Sequence, residues 1–304
     1  MVERTPILDF ATHAVLIFGL LMALGPIYVV FVASTLDLQQ VNQVPLPLLP
    51  GSHFLDNLMT AWNRVEMGTK LLNNIIFAVG VAVGKVAISA LSAYSIVYFN
   101  YRLRLVFFWL IFITLMLPLE VRIVPTYAVA ADALRPWRAV LDVTGISSVI
   151  HWLTGVQVTL QWGLLNSYVG LVLPLIATAT GTFLYRQFFL TIPDELAEAA
   201  KMDGAGPLRF FWDVLLPLSK TNMAALFTIM FLYAWNQYLW PLLVTTDPSY
   251  ATAATELRRL VPTGYGIPEW HVAMAGTLIV MAPPVIVIIL MQRWFVRGLI
   301  STEK

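Results

Sequence analysis

The 304-residue chain contains no cysteine. That absence removes disulfides, thiol nucleophiles and cysteine-based metal sites together. Charge is scarce as well: 12% of residues are charged against 59% hydrophobic, and the formal net charge is +1. So small a charge gives no basic field for nucleic acid, and the composition lies far outside that of a soluble domain. The four histidines stand at His13, His53, His151 and His271, far apart and without metal-ligand spacing, so no metal site is assigned. No phosphate-binding glycine loop and no nucleophile–base motif occurs in the sequence. The chain therefore has no catalytic candidate and no cofactor site, and does not read as an enzyme.

Long apolar runs are what it has in abundance. The mean hydropathy is +0.78, and runs of about 20 residues suit helices rather than the alternating strands of a barrel. Six spans are predicted, at 10–33, 71–98, 105–127, 168–190, 221–244 and 271–291. The first is too long for a signal-peptide core and lacks a small-x-small cleavage site after it. The second carries Gly80, Gly84, Ser89, Ala90, Ser92 and Ala93, small residues that let helix backbones approach closely. Outside the spans, the proline-rich stretch 34–70 predicts one short helix near 54–62. The stretch 131–167 is too polar to cross a bilayer. Its part 146–162 is amphipathic and tryptophan-bearing, and predicts a helix lying at the outer interface.

The polar stretch 191–220 interrupts the apolar pattern with strong helical grammar. Pro193, Asp194 and Glu195 mark a helix start, and Lys201 marks its end. Asp203-Gly204 breaks it, because glycine accepts the positive φ of a helix stop. A second helix is predicted from Pro207, with Leu208, Phe211, Trp212 and Leu215 on one side and Arg209 four residues before Asp213 on another. Pro217 ends or kinks it.

Orientation follows from lysine and arginine. With the N-terminus inside, the inner stretches hold ten, the longer outer stretches hold seven, and Lys85 is intramembrane. The difference in density puts both termini and 191–220 in the cytoplasm.

Ionisable groups inside spans are functional candidates because burying charge in a bilayer is costly. Lys85, Glu120 and Arg122 meet that description, and Lys85 reads either as a pathway group that attracts an anion or as a structural cation. Glu120 and Arg122 are two apart and face different ways on a helix, so they are poor partners for each other. Asn236, Gln237 and Tyr238 form a polar cluster in the fifth span, where amides either bond across helices or line a path; Trp240 reads as an interface anchor.

The string E-A-A-K-M-D-G-A at 198–205, with Leu216-Pro217 beyond it, resembles the EAA loop of inner-membrane permease subunits of ABC importers. The motifs G-L-L-N-S-Y-V-G-L-V-L-P-L (163–175) and W-N-Q-Y-L-W-P-L-L (235–243) resemble the carbohydrate-uptake, maltose-permease-G-like branch. Within that branch M-L-P-L-E-V-R-I-V-P-T (116–126), T-F-L-Y-R-Q-F-F-L-T-I-P (182–193) and M-Q-R-W-F-V-R-G-L (291–299) are similar to the E-type permeases of sn-glycerol-3-phosphate importers.

The resemblance covers nearly the whole chain and implies one permease domain over 1–304 with the type I importer fold. It departs in the outer loops, where residues 139–161 look like an insertion. The partners it implies are a second permease, a dimer of ATP-binding cassette ATPases and a periplasmic substrate-binding protein. In that family the loop seats a coupling helix in the ATPase, which assigns coupling to Glu195, Glu198, Ala199, Ala200, Asp203, Gly204 and Pro217. The cargo it implies is sn-glycerol-3-phosphate or glycerophosphodiesters; a neutral sugar or polyol is the alternative cargo. A stand-alone secondary transporter or channel is the alternative of another class.

Overall fold

A computed structural model of the chain describes residues 6–114, 117–155, 161–177, 179–261 and 266–300. Among these, all regular structure is helical. The chain divides into two compact units, Met1–Leu71 with Thr255–Pro283, and Leu72–Ala254 with Pro284–Lys304.

Three single helices are long and apolar enough to cross a membrane: Ile7–Thr35, Met67–Tyr98 and Trp270–Trp294. Two bent pairs, Tyr168–Ile176 with Ala179–Phe189 and Pro207–Leu218 with Lys220–Trp235, raise the number to as many as five. The run predicted as a continuous third span is two shorter helices, Arg104–Ile113 and Leu119–Ala131. Pro118 stands between them in an extended conformation (ψ 154°); it has no N–H to continue a helix. The predicted fifth span also breaks. Helix Lys220–Trp235 ends where the backbone N–H and the side-chain amide of Asn236 both return to the Leu232 carbonyl, and a separate helix runs Leu239–Val244.

In the first unit, Val32, Ala33, Leu36 and Val41 form a buried cluster flanked by Leu46 and Met274. Helix Phe54–Arg64, close to the predicted 54–62, is pinned there by Asn57, whose amide donates to the carbonyls of Ser34 (2.9 Å) and Leu36 (2.8 Å). Outside the spans, Arg64 donates to Glu269 and holds its carboxyl below the usual carboxylate range.

The second unit is organised on the small residues of Met67–Tyr98. A Cβ on Gly84 would overlap Ile176, one on Gly80 would press on Val172 at 3.0 Å, and one on Gly181 would overlap Ser89. Gly80 and Gly84 are one turn apart and so bring two backbones together, as the sequence predicts. Trp240, expected at an interface, is instead fully buried, and its indole N–H donates to the Leu171 carbonyl at 3.1 Å.

Where one interfacial helix was expected, the chain forms a hairpin of two nine-residue helices, Arg135–Val143 and Ile146–Thr154, turned at Gly145 (φ 73°). Gly155 (φ 69°) stops the second helix, and 156–160 lie outside the described residues. Backbone bonds from Ala133 to Trp162 (2.9 Å) and from Leu164 to Ala130 (2.8 Å) close the base of the excursion.

Candidate coupling loop and buried cations

The first helix of the loop runs Asp194–Met202, with Pro193 extended ahead of it, Asp194 and Glu195 in its first turn and Lys201 in its last. It ends in a Schellman motif: the Gly204 N–H bonds the Lys201 carbonyl (3.0 Å) and the Ala205 N–H bonds the Ala200 carbonyl (2.9 Å). Gly204 has φ 74°, and a Cβ there would meet nothing within 4 Å. Backbone conformation, rather than crowding, is therefore what requires glycine. Glu195, Glu198 and Ala199 are exposed on this helix, with Ala200 half-buried.

The second segment departs from its predicted face. Of the four residues predicted to share a side, Phe211 and Leu215 are buried, at 3% and 0% exposure, beside Phe210, while Leu208 and Trp212 are 71% and 64% exposed. From Phe211 to Leu215 the segment is π-helical, between the α-helical turns Pro207–Phe210 and Leu216–Leu218. Its wider turn changes which side chains face inward relative to a 3.6-residue period. Arg209 and Asp213 do pair on the outer side, at 3.3 Å. The segment then meets helix Lys220–Trp235 at a 75° bend.

An aromatic joint fastens this loop to the end of helix Met67–Tyr98. The Tyr94 hydroxyl donates to the Pro207 carbonyl at 2.8 Å, its ring lies 5.0 Å from Phe211, and Tyr98 lies 5.3 Å from Phe210 and 6.1 Å from Phe189. A cavity of about 240 Å³ remains between the joint and the first loop helix, lined by Tyr98, Ala197, Ala200 and Lys201 among others. These packed rings tie the loop to the end of that long helix. This joint is not among the features predicted from the sequence. Its local signal is Tyr94 and Tyr98, one helical turn apart on the same side.

Two of the intramembrane candidates have described side chains. Lys85 is 5% exposed, and its Nζ sits 3.9 Å from the centre of the Tyr233 ring. The Arg122 Nε is buried without a hydrogen-bond partner. Among the described side chains, no carboxylate pairs with either cation; the Glu120 side chain lies outside the described residues. Asn236 folds its amide back onto Leu232, at the end of its own helix. Gln237 is half-buried at that helix end, and Tyr238 precedes the helix Leu239–Val244.

The model of the binding-protein-dependent transport system inner membrane component matches residues 85–301. An sn-glycerol-3-phosphate transport system permease protein UgpE of Yersinia pestis bv. Antiqua (strain Antiqua) is 49% identical over 310 aligned residues, covering all of both chains. The protein of the same name from Escherichia coli O1:K1 / APEC is 46% identical, again over the full length of both. Among solved structures, a chain of a bacterial ABC transporter involved in the import of the acidic polysaccharide alginate superimposes with a TM-score of 0.71 at 20% identity, covering 97% of this chain and 100% of that one. With a multi-helical apolar fold, an exposed two-helix loop and these full-length likenesses, the chain belongs to the family of inner-membrane components of binding-protein-dependent transport systems, the permeases of ABC importers.

Proposed function

We propose that this chain is one of two permease subunits of an ATP-driven importer that carries sn-glycerol-3-phosphate into the cytoplasm. The observation that carries the reading is the end-to-end identity of 49% to a permease named for that cargo. In this reading the chain is one permease domain that crosses the membrane six times. The broken segments Arg104–Ile113 with Leu119–Ala131, and Lys220–Trp235 with Leu239–Val244, each make one crossing. The higher inner density of lysine and arginine supports cytoplasmic termini, with the hairpin at 135–154 outside, on the side of a periplasmic binding protein.

Having no phosphate loop, the chain takes its energy from a separate ATPase dimer, and the loop 191–220 is where the two meet. Glu195, Glu198, Ala199, Ala200, Asp203, Gly204 and Pro217 shape or present that loop. Leu208 and Trp212, exposed apolar side chains four residues apart, supply the surface that a hydrophobic groove would cover.

The test is uptake of labelled sn-glycerol-3-phosphate by proteoliposomes. Expected are ATP-dependent uptake by the complete complex with its binding protein and none by this chain alone. Gradient-driven uptake by the chain alone would overturn the reading. Uptake of a neutral sugar but not of glycerol phosphate by the complete complex would overturn the cargo and leave the architecture.

A further inference from the structure

We propose that the elbow between the coupling loop and helix Lys220–Trp235 seats one anionic phospholipid of the inner leaflet, with an acyl chain in an apolar cavity and the phosphate over Lys220. The cavity, about 410 Å³, lies where the segment Pro207–Leu218 meets that helix at a 75° bend. The arm before the bend lines it with Phe211, Trp212 and Leu216, and the arm after it with Met223, Ala224 and Phe227. The facing wall is the stretch 83–91 of helix Met67–Tyr98, whose lining residues recur at three- and four-residue spacing. All of the lining side chains are apolar apart from the indole N–H of Trp212. A site for a polar cargo needs several placed polar groups, so the cargo is not its ligand. Both helices meet the loop, at Lys220 and at Tyr98, and depth is counted from those ends. At 1.5 Å per residue, Met223 to Phe227 and Leu91 to Val83 place the cavity about 5 to 20 Å from the loop side, at the acyl chains of the nearer leaflet.

An apolar cavity at that depth takes either a protein helix or a lipid chain, and the side chains here favour the lipid. Helices in membranes approach through small residues, as at Gly80 and Gly84. Much of this wall is instead large or flexible, with Phe227, Leu216, Met223 and Met291, and methionine adapts to irregular apolar shapes. The mouth decides the sign of the headgroup. Lys220 is exposed and stands 3, 4 and 7 residues before Met223, Ala224 and Phe227, so it shares their helical face, and its stem leans toward the loop side. The segments 83–91 and 211–227 contain one acid, Asp213, and Arg209 already pairs with it at 3.3 Å. Their other cation, Lys85, is two residues from both Val83 and Ala87 and lies on the opposite face of its helix. A phosphodiester at the mouth therefore meets the ammonium of Lys220. A zwitterionic headgroup brings an ammonium of its own and gains less. Phe211 belongs both to the cavity wall and to the joint with Tyr94, so the seated chain packs against the joint from the bilayer side.

The inference rests on the cytoplasmic placement of the loop in the reading above, and not on the cargo. The complete importer is placed in liposomes that carry, in one leaflet at a time, phosphatidylglycerol or phosphatidylcholine with a photoreactive group midway along an acyl chain, and adducts are mapped by peptide mass spectrometry. The phosphatidylglycerol probe in the leaflet on the ATPase side is expected to label 83–91 and 211–227 about fivefold more than the phosphatidylcholine probe, the effect of one cation beside an anionic headgroup. Lys220→Gln should bring the two probes level, and Lys220→Arg should keep the preference. Ala87→Trp and Ala224→Trp, which fill the cavity, should each remove this labelling and leave that of the exposed helix Ile7–Thr35 unchanged. Equal labelling by both probes, unmoved by Lys220→Gln, would overturn the anionic seat. Wild-type complex labelled on Ile7–Thr35 but on neither cavity segment would show that another subunit covers the cavity, and would overturn it too. Labelling only from the leaflet away from the ATPase would overturn the placement of the loop together with the seat. If the labelling is as expected in a complex that does not import sn-glycerol-3-phosphate, the cargo reading fails and the seat stands.

Discussion

Alanine at Phe211 is expected to reduce ATP-driven uptake by at least about thirtyfold while the subunit still reaches the membrane. Phe211 is 3% exposed, its ring lies tilted 5.0 Å from that of Tyr94, and it holds the π-helical turn of the loop against the end of helix Met67–Tyr98. Truncating a buried phenylalanine costs about 3–5 kcal/mol. The long membrane helices do not depend on this ring, so the loss falls on the joint. A loop that no longer moves as one body with its helix cannot convert closure of an ATPase into movement of a span. Even the lower figure is worth more than a hundredfold in an equilibrium, which leaves room for partial repacking. Removing only the Tyr94 hydroxyl, with Tyr94→Phe, forfeits one bond to the Pro207 carbonyl, and about two- to tenfold is expected. Uptake rates read beside membrane abundance decide the matter, and wild-type uptake by Phe211→Ala would remove the joint from the mechanism.

Valine at Gly204 is expected to lower uptake about tenfold by a different route. Nothing lies within 4 Å of where its Cβ would sit, so the effect comes from φ 74° alone. Left-handed backbone costs an ordinary residue roughly 1–2 kcal/mol and a β-branched one more. Relief of that strain releases the Schellman bonds to Lys201 and Ala200, and with them the angle between the two loop helices. Two controls separate this cause from bulk. Gly204→Asn, which tolerates left-handed backbone, should retain most activity. Gly206→Ala, at φ −71° and with open space around it, should be nearly silent. Equal losses at 204 and 206 would show that size, not conformation, is at issue.

Local chemistry is what the sequence made readable. The helix start at Pro193-Asp194-Glu195, its stop at Gly204 and the close-packing glycines 80 and 84 each depend on residues within a turn or two, and each appears where expected. Readings that needed a partner distant in the chain were harder. Trp240 reads as a membrane-interface anchor, whereas its indole N–H finds a buried carbonyl 69 residues away. Lys85 is legible as an intramembrane cation, but the Tyr233 ring it rests on is 148 positions away, and only the fold shows that contact. The face of the second loop helix was misjudged for a different reason. Residues 211–215 turn as a π-helix rather than with a period of 3.6, and Leu208 and Trp212 are exposed while Phe210, Phe211 and Leu215 are buried. That error matters to function, because the misplaced residues are those the proposal now sets against the ATPase.

The absence of cysteine makes the central claim directly measurable, since one introduced thiol is the only one in the chain. Leu208→Cys, at the exposed surface of the loop, and Trp152→Cys, exposed near the end of the hairpin's second helix, are each coupled to a thiol-anchored photocrosslinker in membranes containing the full importer. The account predicts a permease–ATPase adduct from position 208 and none from position 152. An ATPase adduct from position 152, or none from position 208 in a complex that still transports, would contradict it.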